Sequence, residues 1–230
     1  MDRKYQIIIA IIVIIIIAIG ASYALGFLDF GPSTQFDNKF MKGTFQGEVV
    51  EQPISNNSGS LKDWSKSYKD KTNGIEYNMS SLDNVSLIVD IMSIQAGLKQ
   101  PETREYNDVN WTIYYSQAVP NTNASINNTP NNTSQNVYDV YICEAFKNNQ
   151  SYLIYVVSNG TVKCDGSTYC DLYTKNIEPL LKSIELKQGT NVPKINDTLG
   201  VSRGDYNKLV KYVEAYKAGN ITSNGNNQAQ

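Results

Sequence analysis

An uninterrupted apolar run near the N-terminus, Ile7–Leu25, constrains this chain more than any other feature. It contains no charged residue, and as a helix with a rise of ~1.5 Å per residue it would span roughly 28 Å, the thickness of a bilayer's hydrocarbon layer. Arg3 and Lys4 precede the run, and positive charge resists translocation. The sequence therefore predicts one membrane-spanning helix, with the N-terminus in the cytoplasm and the bulk of the chain outside it.

This leader has two interpretations. Ser22 and Ala24 have the small side chains that signal peptidase requires, so the leader fits a signal peptide removed after Ala24. We favour an uncleaved signal anchor, because the isoleucine-rich core is at the long end for a signal peptide and no cysteine follows it closely as a lipid attachment point. A buried core helix is disfavoured because such helices rarely lack a polar stripe.

Composition excludes several classes of function. The net charge of −2 over 230 residues gives no extended positive surface for nucleic acid. The chain has no histidine, which removes Ser-His-Asp and Cys-His catalysis and every His-ligated metal site. Neither of the common glycine-rich phosphate-binding motifs occurs. We therefore predict no cofactor and no metal site.

Asparagine supplies a second informative pattern. Twelve Asn-x-Ser/Thr triplets occur, about three times as many as the composition alone would give, although loops rich in Asn, Ser and Thr also cluster such triplets. These triplets are acceptors for N-linked glycans on exported proteins. The sequence therefore predicts glycosylation candidates at Asn56, Asn78, Asn84, Asn110, Asn123, Asn127, Asn131, Asn132, Asn149, Asn159, Asn196 and Asn220.

The chain has three cysteines, and a disulfide is expected in an exported protein. Cys164 and Cys170 enclose a short loop around a glycine, so we predict a disulfide between them. Cys143 lies in a strand-like run and is interpreted as a small buried residue. A zinc site is the alternative, but three cysteines without histidine need a carboxylate to complete four ligands.

The predicted organisation places one folded domain between less regular segments. The regions are an anchor at 1–26, a connector at 27–38, an extracytoplasmic α+β domain at 39–188, a linker with a C-terminal helix at 189–219, and a disordered tail at 220–230. Within the domain, 118–136 holds no charge and is rich in asparagine, which predicts a disordered, glycan-covered loop. A binding loop is the alternative for that segment.

The first half of the domain is predicted to contain strands and a short helix. Lys39–Val50 and Ile75–Met79 have strand-like patterns, and Val85–Ile94 is apolar on both faces, as in a central strand. A short amphipathic helix is predicted after Ser60 from apolar residues at helical spacing: Leu61, Trp64 and Tyr68.

The second half is predicted to contain two hairpins and two helices. The hairpins join Glu102–Tyr106 to Val109–Tyr115 and Val137–Phe146 to Tyr152–Val157, and alternation puts the apolar residues of Val109–Tyr115 on one core face. The remaining elements are a helix at Leu172–Ser183 with Pro179 at a kink or a new first turn, a last strand at Ile184–Leu186, and a helix from Ser202 to about Lys217. The apolar stripe of that last helix is predicted to dock on the domain's own sheet, with partner binding as the alternative.

Several patches carry a resemblance to a known group of proteins. Together with the isoleucine-rich leader they are Phe40–Phe45 (FMKGTF), Asn73–Asn78 (NGIEYN), Val109–Tyr115 (VNWTIYY) and Tyr173–Ile184 (YTKNIEPLLKSI). With these patches the chain resembles small membrane-anchored surface proteins of methane-producing archaea. The order of elements after Ile75 is similar to PsbP-like α+β domains. That resemblance implies a single antiparallel sheet with helices packed on one face, and roles in binding and assembly rather than catalysis.

Three functional hypotheses follow. The first is a non-enzymatic, membrane-tethered, glycosylated domain that binds an envelope protein or a surface polymer through tyrosine-rich hairpin edges or the C-terminal helix. The second is a histidine-free extracellular hydrolase that cleaves surface polysaccharide with two carboxylates, for which Asp90 is the first candidate. The plainer interpretation is that Asp90 faces the less buried side or pairs with a lysine. The third is redox sensing by Cys164 and Cys170. For none of the three hypotheses does the sequence assign a catalytic residue.

Overall fold

The structure is a computed structural model that describes residues 32–54, 62–96, 101–118, 137–158, 162, 164, 166–194 and 202–220. The predicted span Ile7–Leu25, most of the asparagine-rich loop 118–136 and nearly all of the tail 220–230 lie outside these residues. In the part of the chain that is described, no helix has the length and apolarity that crossing a bilayer requires.

The described strands form two antiparallel sheets. The large sheet has seven strands in the order β3-β4-β5-β9-β8-β7-β6, and the small sheet has three in the order β1-β2-β10. The strands of the large sheet are β3 Val49–Gln52, β4 Ser65–Asp70, β5 Ile75–Leu82, β6 Glu102–Tyr106, β7 Val109–Ala118, β8 Tyr138–Lys147 and β9 Gln150–Ser158. Those of the small sheet are β1 Ser33–Asp37, β2 Met41–Gln46 and β10 Glu185–Leu186.

Helical elements lie between and after these strands. They are α1 Ser86–Ala96, a π-helical turn Tyr173–Ile177 that runs directly into α2 Glu178–Ser183, and α3 Arg203–Lys217. Pro179, predicted at a kink or a new first turn, stands in the first turn of α2, directly after the π-helical turn. Ser202 caps α3 by accepting a hydrogen bond from the backbone N–H of Asp205 at 3.1 Å.

Local turn chemistry accounts for both hairpins, which are confirmed. The two residues that join β6 to β7, Asn107 and Asp108, have φ angles of 51° and 56°. Asn148 and Asn149 join β8 to β9 with φ angles of 55° and 60°. Left-handed φ at both positions is the two-residue turn whose twist matches that of the strands, and Asn and Asp adopt it more readily than other non-glycine residues.

One face of the large sheet, which we call the inner face, is the main core. It presents large, fully buried side chains, among them Tyr77, Trp111 and Tyr141, and alternation along β7 buries the residues that were predicted to share a face. The small sheet, the π-helical turn and α2 cover the inner face, and their own buried residues join the same cluster: Phe36, Phe45, Tyr173, Ile177, Leu180 and Leu181.

The opposite face of the large sheet, the outer face, carries α1. Val85 and Val89 pack against Ile142 and Leu153 of the sheet in a separate cluster. The other side of α1 contacts α3, where Val213 is 4% exposed. The predicted single sheet with helices on one face is therefore wrong in two respects, because there are two sheets and helices pack on both faces of the larger one.

Two predicted elements have the opposite secondary structure. Val85–Ile94 was expected to be a central strand, yet it lies almost wholly in helix α1. At the start of this helix, the Asn84 side chain accepts a hydrogen bond from the backbone N–H of Ser86 at 3.0 Å. This helix is covered by the sheet on one side and by α3 on the other, and a segment buried on two sides is apolar all round, as a central strand is. Leu61, where the expected helix starts, lies outside the described residues. The rest of that segment, with Trp64 and Tyr68, is instead a turn followed by strand β4 from Ser65 onward, because a spacing of four residues also fits a strand.

Two further boundaries and one predicted packing contact differ from prediction. The second half of the expected connector 27–38 is strand β1, and the folded unit begins at Ser33. Lys39–Val50 is divided between the two sheets at Gly47, whose φ of 94° turns the chain between β2 and β3. Helix α3 has the predicted bounds and apolar stripe, but the stripe packs mainly on α1 rather than on the sheet.

Candidate functional site

The structure forms the predicted disulfide between Cys164 and Cys170, whose Cα atoms are 5.1 Å apart. The enclosed loop lies over the inner face of β8. The Tyr141 hydroxyl donates a hydrogen bond to the carbonyl of Thr168 at 2.8 Å and lies 3.3 Å from the Sγ of Cys170. The disulfide loop is therefore fixed on the sheet rather than free at its surface.

Asp139, which is 2% exposed, holds the other side of this loop. Its Oδ1 accepts hydrogen bonds from the Tyr115 hydroxyl at 2.8 Å and from the Gln117 amide at 3.1 Å, and its Oδ2 accepts one from the Cys164 backbone N–H at 3.4 Å. Gln117 also donates to the Cys164 carbonyl at 3.1 Å. A buried carboxylate needs such partners, and here they tie the disulfide loop to two adjacent strands.

Tyrosine rings continue from the disulfide loop toward the edge of the sheet. The Tyr141 and Tyr173 rings are 5.9 Å apart, and Tyr169 meets Tyr173 edge-on at 5.0 Å. The hydroxyls of Tyr106 and Tyr173 share a hydrogen bond of 3.0 Å. Burial, followed by the neighbouring Tyr106 hydroxyl, raises the pKa of Tyr173, so this phenol stays protonated at physiological pH.

The exposed end of this row is a group that we call the edge cluster: Glu102, Arg104, Tyr106 and Tyr169. The Arg104 guanidinium lies over the Tyr169 ring at 4.6 Å, and its Nε donates to the Tyr169 hydroxyl at 2.9 Å. That hydroxyl in turn donates to Glu102. Three members of the cluster belong to β6, the edge strand of the large sheet, and the Arg104 side chain is 49% exposed. The cluster thus presents a preorganised cation and aromatic ring at the edge of the described sheet.

A second group lies on the outer face and contains two carboxylates. Asp90 of α1 forms an ion pair of 2.8 Å with Lys217 of α3, as the plainer interpretation of Asp90 expected. Glu144 of β8 accepts a hydrogen bond of 2.8 Å from the Ser86 hydroxyl. Burial raises the pKa of Glu144, and the negative charge of Asp90 raises it further. Sequence reasoning missed Glu144 because it stands in an apolar strand whose pairing with α1 is set only by the fold.

The raised pKa of Glu144 predicts a dependence of stability on pH. A carboxyl group whose pKa is higher in the folded chain than in the unfolded chain binds more protons when the chain is folded. Its contribution to stability therefore falls as the pH rises from near the ordinary pKa of 4.5 to the raised pKa of the folded chain. We expect Glu144→Gln to raise Tm at pH 7 and to lose this advantage at pH 4, as measured by thermal unfolding at both pH values. Ser86→Ala removes a hydrogen bond that lowers the pKa of Glu144, so it should enlarge the loss of stability at pH 7. A Glu144→Gln effect that is equal at both pH values would contradict the prediction.

Two other acidic residues, Glu76 and Asp70, have structural partners. Glu76 pairs with Lys69 at 2.7 Å. The fully buried Asp70 accepts backbone hydrogen bonds from Thr72 at 2.7 Å and Asn73 at 2.9 Å, which fixes the turn between β4 and β5. Across the described ranges, no group of three His, Cys, Asp or Glu side chains is arranged to hold a metal ion.

Cys143 is a free, fully buried thiol on the inner face, as the sequence predicted. Burial raises its pKa to about 12, so the reactive thiolate is scarce at neutral pH. We expect iodoacetamide to leave the native, non-reduced chain unlabelled at pH 8 and to add one group per chain after unfolding in urea. Mass spectrometry counts the added groups, and rapid labelling of the native chain would show that this strand opens easily.

Five of the twelve predicted glycan acceptors lie among the described residues, and all five are exposed: Asn78, Asn84, Asn110, Asn149 and Asn220. The remaining candidates lie outside the described residues: Asn56, Asn123, Asn127, Asn131, Asn132, Asn159 and Asn196. Exposure is a requirement for an acceptor, since an attached sugar must lie in solvent.

No protein family and no curated protein matches this sequence. Among solved structures, the solution structure of cyanobacterial PsbP (CyanoP) from Synechocystis sp. PCC 6803 matches 70% of this chain and 95% of its own length, with 6% identity and a TM-score of 0.43. A crystal structure from Bacteroides thetaiotaomicron matches 69% of this chain with 8% identity and a TM-score of 0.39, and the match spans about half of that protein, 49%. The chain is an α+β protein with antiparallel sheets and few helices, and a PsbP protein is among its structural neighbours.

Proposed function

We propose that this protein is a membrane-tethered, glycosylated domain on the outer side of the cell membrane that binds an envelope protein or a surface polymer and catalyses no reaction. Residues 7–25 serve as the uncleaved membrane anchor. The resemblance of its sequence patches to membrane-anchored surface proteins of methanogenic archaea supports the same location. The observation that carries the binding function is the edge cluster.

The edge cluster has the chemistry of a protein-binding site. Arginine and tyrosine are enriched among the residues that dominate binding energy at interfaces, because each combines a large contact area with directional hydrogen bonds. Here Arg104 and Tyr169 restrain each other through stacking and a hydrogen bond of 2.9 Å, so little side-chain entropy remains to be lost on binding. Among the described strands β6 is the last of the large sheet, and a partner strand can extend such an edge.

Affinity capture from native membranes tests this function. The full-length chain is used as bait, with the double variant Arg104→Ala/Tyr169→Ala compared with Lys66→Ala, which removes an ion pair of 2.6 Å with Glu51 near the opposite edge of the same sheet. We expect the double variant to capture at least about tenfold less of the partner than the wild type, which corresponds to a loss of ~1.4 kcal/mol of binding energy, while Lys66→Ala captures as much as the wild type. Equal capture by all three baits would overturn the assignment of the edge cluster.

A second candidate function is a hydrolase that acts on surface polysaccharide, and it is favoured by two carboxylates on the outer face, Glu144 and Asp90, that are close enough for the charge of Asp90 to raise the pKa of Glu144. Glu144, whose pKa is raised by burial, would act as the general acid and Asp90 as the second carboxylate, the division of roles that glycosidases use. Incubating purified cell-surface polysaccharide with the wild type, Glu144→Gln and Asp90→Asn tests this. Release of reducing sugar by the wild type alone would establish the hydrolase and displace the non-enzymatic proposal.

A further inference from the structure

Two of the exposed acceptor asparagines stand beside aromatic residues on the outer face of the large sheet. Asn78 of β5 is directly opposite Tyr155 of β9. In the register of β7 and β8, Trp111 is opposite Ala145, so the next position along places Asn110 opposite Phe146. Side chains directly opposite on one face of an antiparallel pair have Cβ atoms about 4.5–5.5 Å apart. Each asparagine therefore has an aromatic ring within reach of whatever is attached to it.

Asn78 also lines a groove. The groove has a volume of about 380 Å³, and its walls include Pro53, Ser67, Ser80 and Leu153 in addition to Asn78 and Tyr155. Tyr155 is half-buried because one side of its ring packs against the cluster under α1. The groove thus combines apolar surface with hydroxyl groups, the combination that a sugar with one apolar face and several hydroxyls can fill.

Phe146 is one of three large hydrophobic side chains in the described part of the chain that are strongly exposed, at 64%. Scattered exposed apolar residues are common on protein surfaces and need no function by themselves. Phe146 differs in its position, because the register places it beside Asn110, and Thr112 completes the acceptor triplet on the same face.

We propose that Asn78 and Asn110 carry N-linked glycans, and that Tyr155 and Phe146 each support the first sugar of the neighbouring glycan. The C–H groups on one face of the sugar pack on the aromatic ring while its hydroxyls remain in water, so attachment covers apolar area that the bare chain exposes. This inference rests on the proposed export and glycosylation, to which it adds the sites and the protein surface that the glycans contact.

The modification balances as a substitution at a sugar carbon. The co-substrate is a sugar linked through phosphate to a membrane lipid, and an envelope glycosyltransferase is the catalyst. A bond forms between Nδ2 of the asparagine and C1 of the sugar while the bond from C1 to the phosphate oxygen breaks. The lipid phosphate leaves with the electron pair, and the amide nitrogen gives up one proton to a base.

Site occupancy is the first test. The full-length chain is produced in a host that N-glycosylates exported proteins, and mass spectrometry of its peptides locates the attached glycans. We expect sugar on Asn78 and Asn110. Glycans on other acceptors but not on these two would overturn this inference and leave general glycosylation standing, whereas a chain without any glycan would overturn both.

A pair of double-mutant cycles tests the aromatic support. Thr112→Val removes the acceptor triplet at Asn110 without changing the asparagine, and Ser80→Ala does the same at Asn78. We expect Phe146→Ala to lower Tm by about 2–4 °C in the glycosylated chain, and by less than about 1 °C when Thr112→Val is also present. Tyr155→Ala should likewise cost more Tm with the glycan than in the Ser80→Ala background, and Tyr155→Phe, which keeps the ring, should retain the glycan-dependent difference. Equal losses of Tm with and without the glycan would overturn the proposed contact.

Discussion

Trp111→Ala is expected to destabilise the domain by about 3–5 kcal/mol, the cost of removing a large aromatic side chain from a closed core. Trp111 is fully buried on the inner face between β6 and β8, opposite Arg104 and Ala145 in the two registers. Because seven strands and the covering helices fix its surroundings, the space left by the indole cannot close completely. Urea unfolding of the full-length chain, followed by circular dichroism, measures the loss.

Trp111→Phe distinguishes packing from hydrogen bonding at this position. The Nε1 of Trp111 is buried without a hydrogen-bond partner among the described residues, so the indole N–H was desolvated without compensation. We expect phenylalanine to cost less than about 1.5 kcal/mol, since the loss of ring area is offset by the removal of an unpaired donor. Tyr212→Ala, at a position on α3 that is 43% exposed, is the control and should change stability by less than about 0.5 kcal/mol. A similarly small effect of Trp111→Ala would contradict the prediction.

Gly189→Ala is expected to have the second largest effect, a loss of about 3 kcal/mol or more from overpacking. A Cβ at this position would overlap the Trp64 ring and lie 2.6 Å from its Cζ3. Trp64 is 3% exposed and stacks with Phe40 at 6.4 Å, so its ring has little room to move aside. The backbone cannot shift freely either, because the Gly189 N–H donates to the side chain of Gln150 at 2.9 Å.

Gly204→Ala is the matched control for the added methyl group. Gly204 lies in the first turn of α3, where the nearest atom to a new Cβ is the Ser202 Oγ at 3.7 Å. Alanine is favoured over glycine in a helix by about 0.5–1 kcal/mol, so this variant should be unchanged or slightly more stable. Thermal unfolding compares the two variants, and a stable Gly189→Ala chain would show that Trp64 can be displaced at little cost.

Sequence reasoning succeeded where neighbouring residues decide the outcome. Asn107-Asp108 and Asn148-Asn149 are turn residues between apolar strands, so both hairpins were predictable from the chain alone. The same holds for Ser202 at the start of α3, whose side chain caps the helix that follows it. The pairing of Cys164 with Cys170 was also within reach, because it closes a loop with a sequence separation of 6.

Sequence reasoning failed where one pattern of residues fits two kinds of secondary structure. Trp64 and Tyr68 are four residues apart, and this spacing suits one face of a helix as well as one face of a strand. In Val85–Ile94 the apolar residues face in every direction, as they do in a central strand or in a helix covered on both sides. In both segments the neighbours across the sheet or the helix pair, rather than the segment itself, select the structure.

The candidate sites divide in the same way. The acceptor triplets, the cysteine pair and Asp90 were visible in the sequence, because each is defined by residue type and local spacing. Long-range packing alone places Arg104 on Tyr169, Glu144 near Asp90 and Phe146 opposite Asn110. Turns, caps and short disulfide loops depend on contacts within a few residues, so the sequence determined these features by itself. The pairing of distant strands decides which faces meet. The free energy of this pairing is gained only when the whole sheet is assembled, so only the tertiary structure decided these contacts.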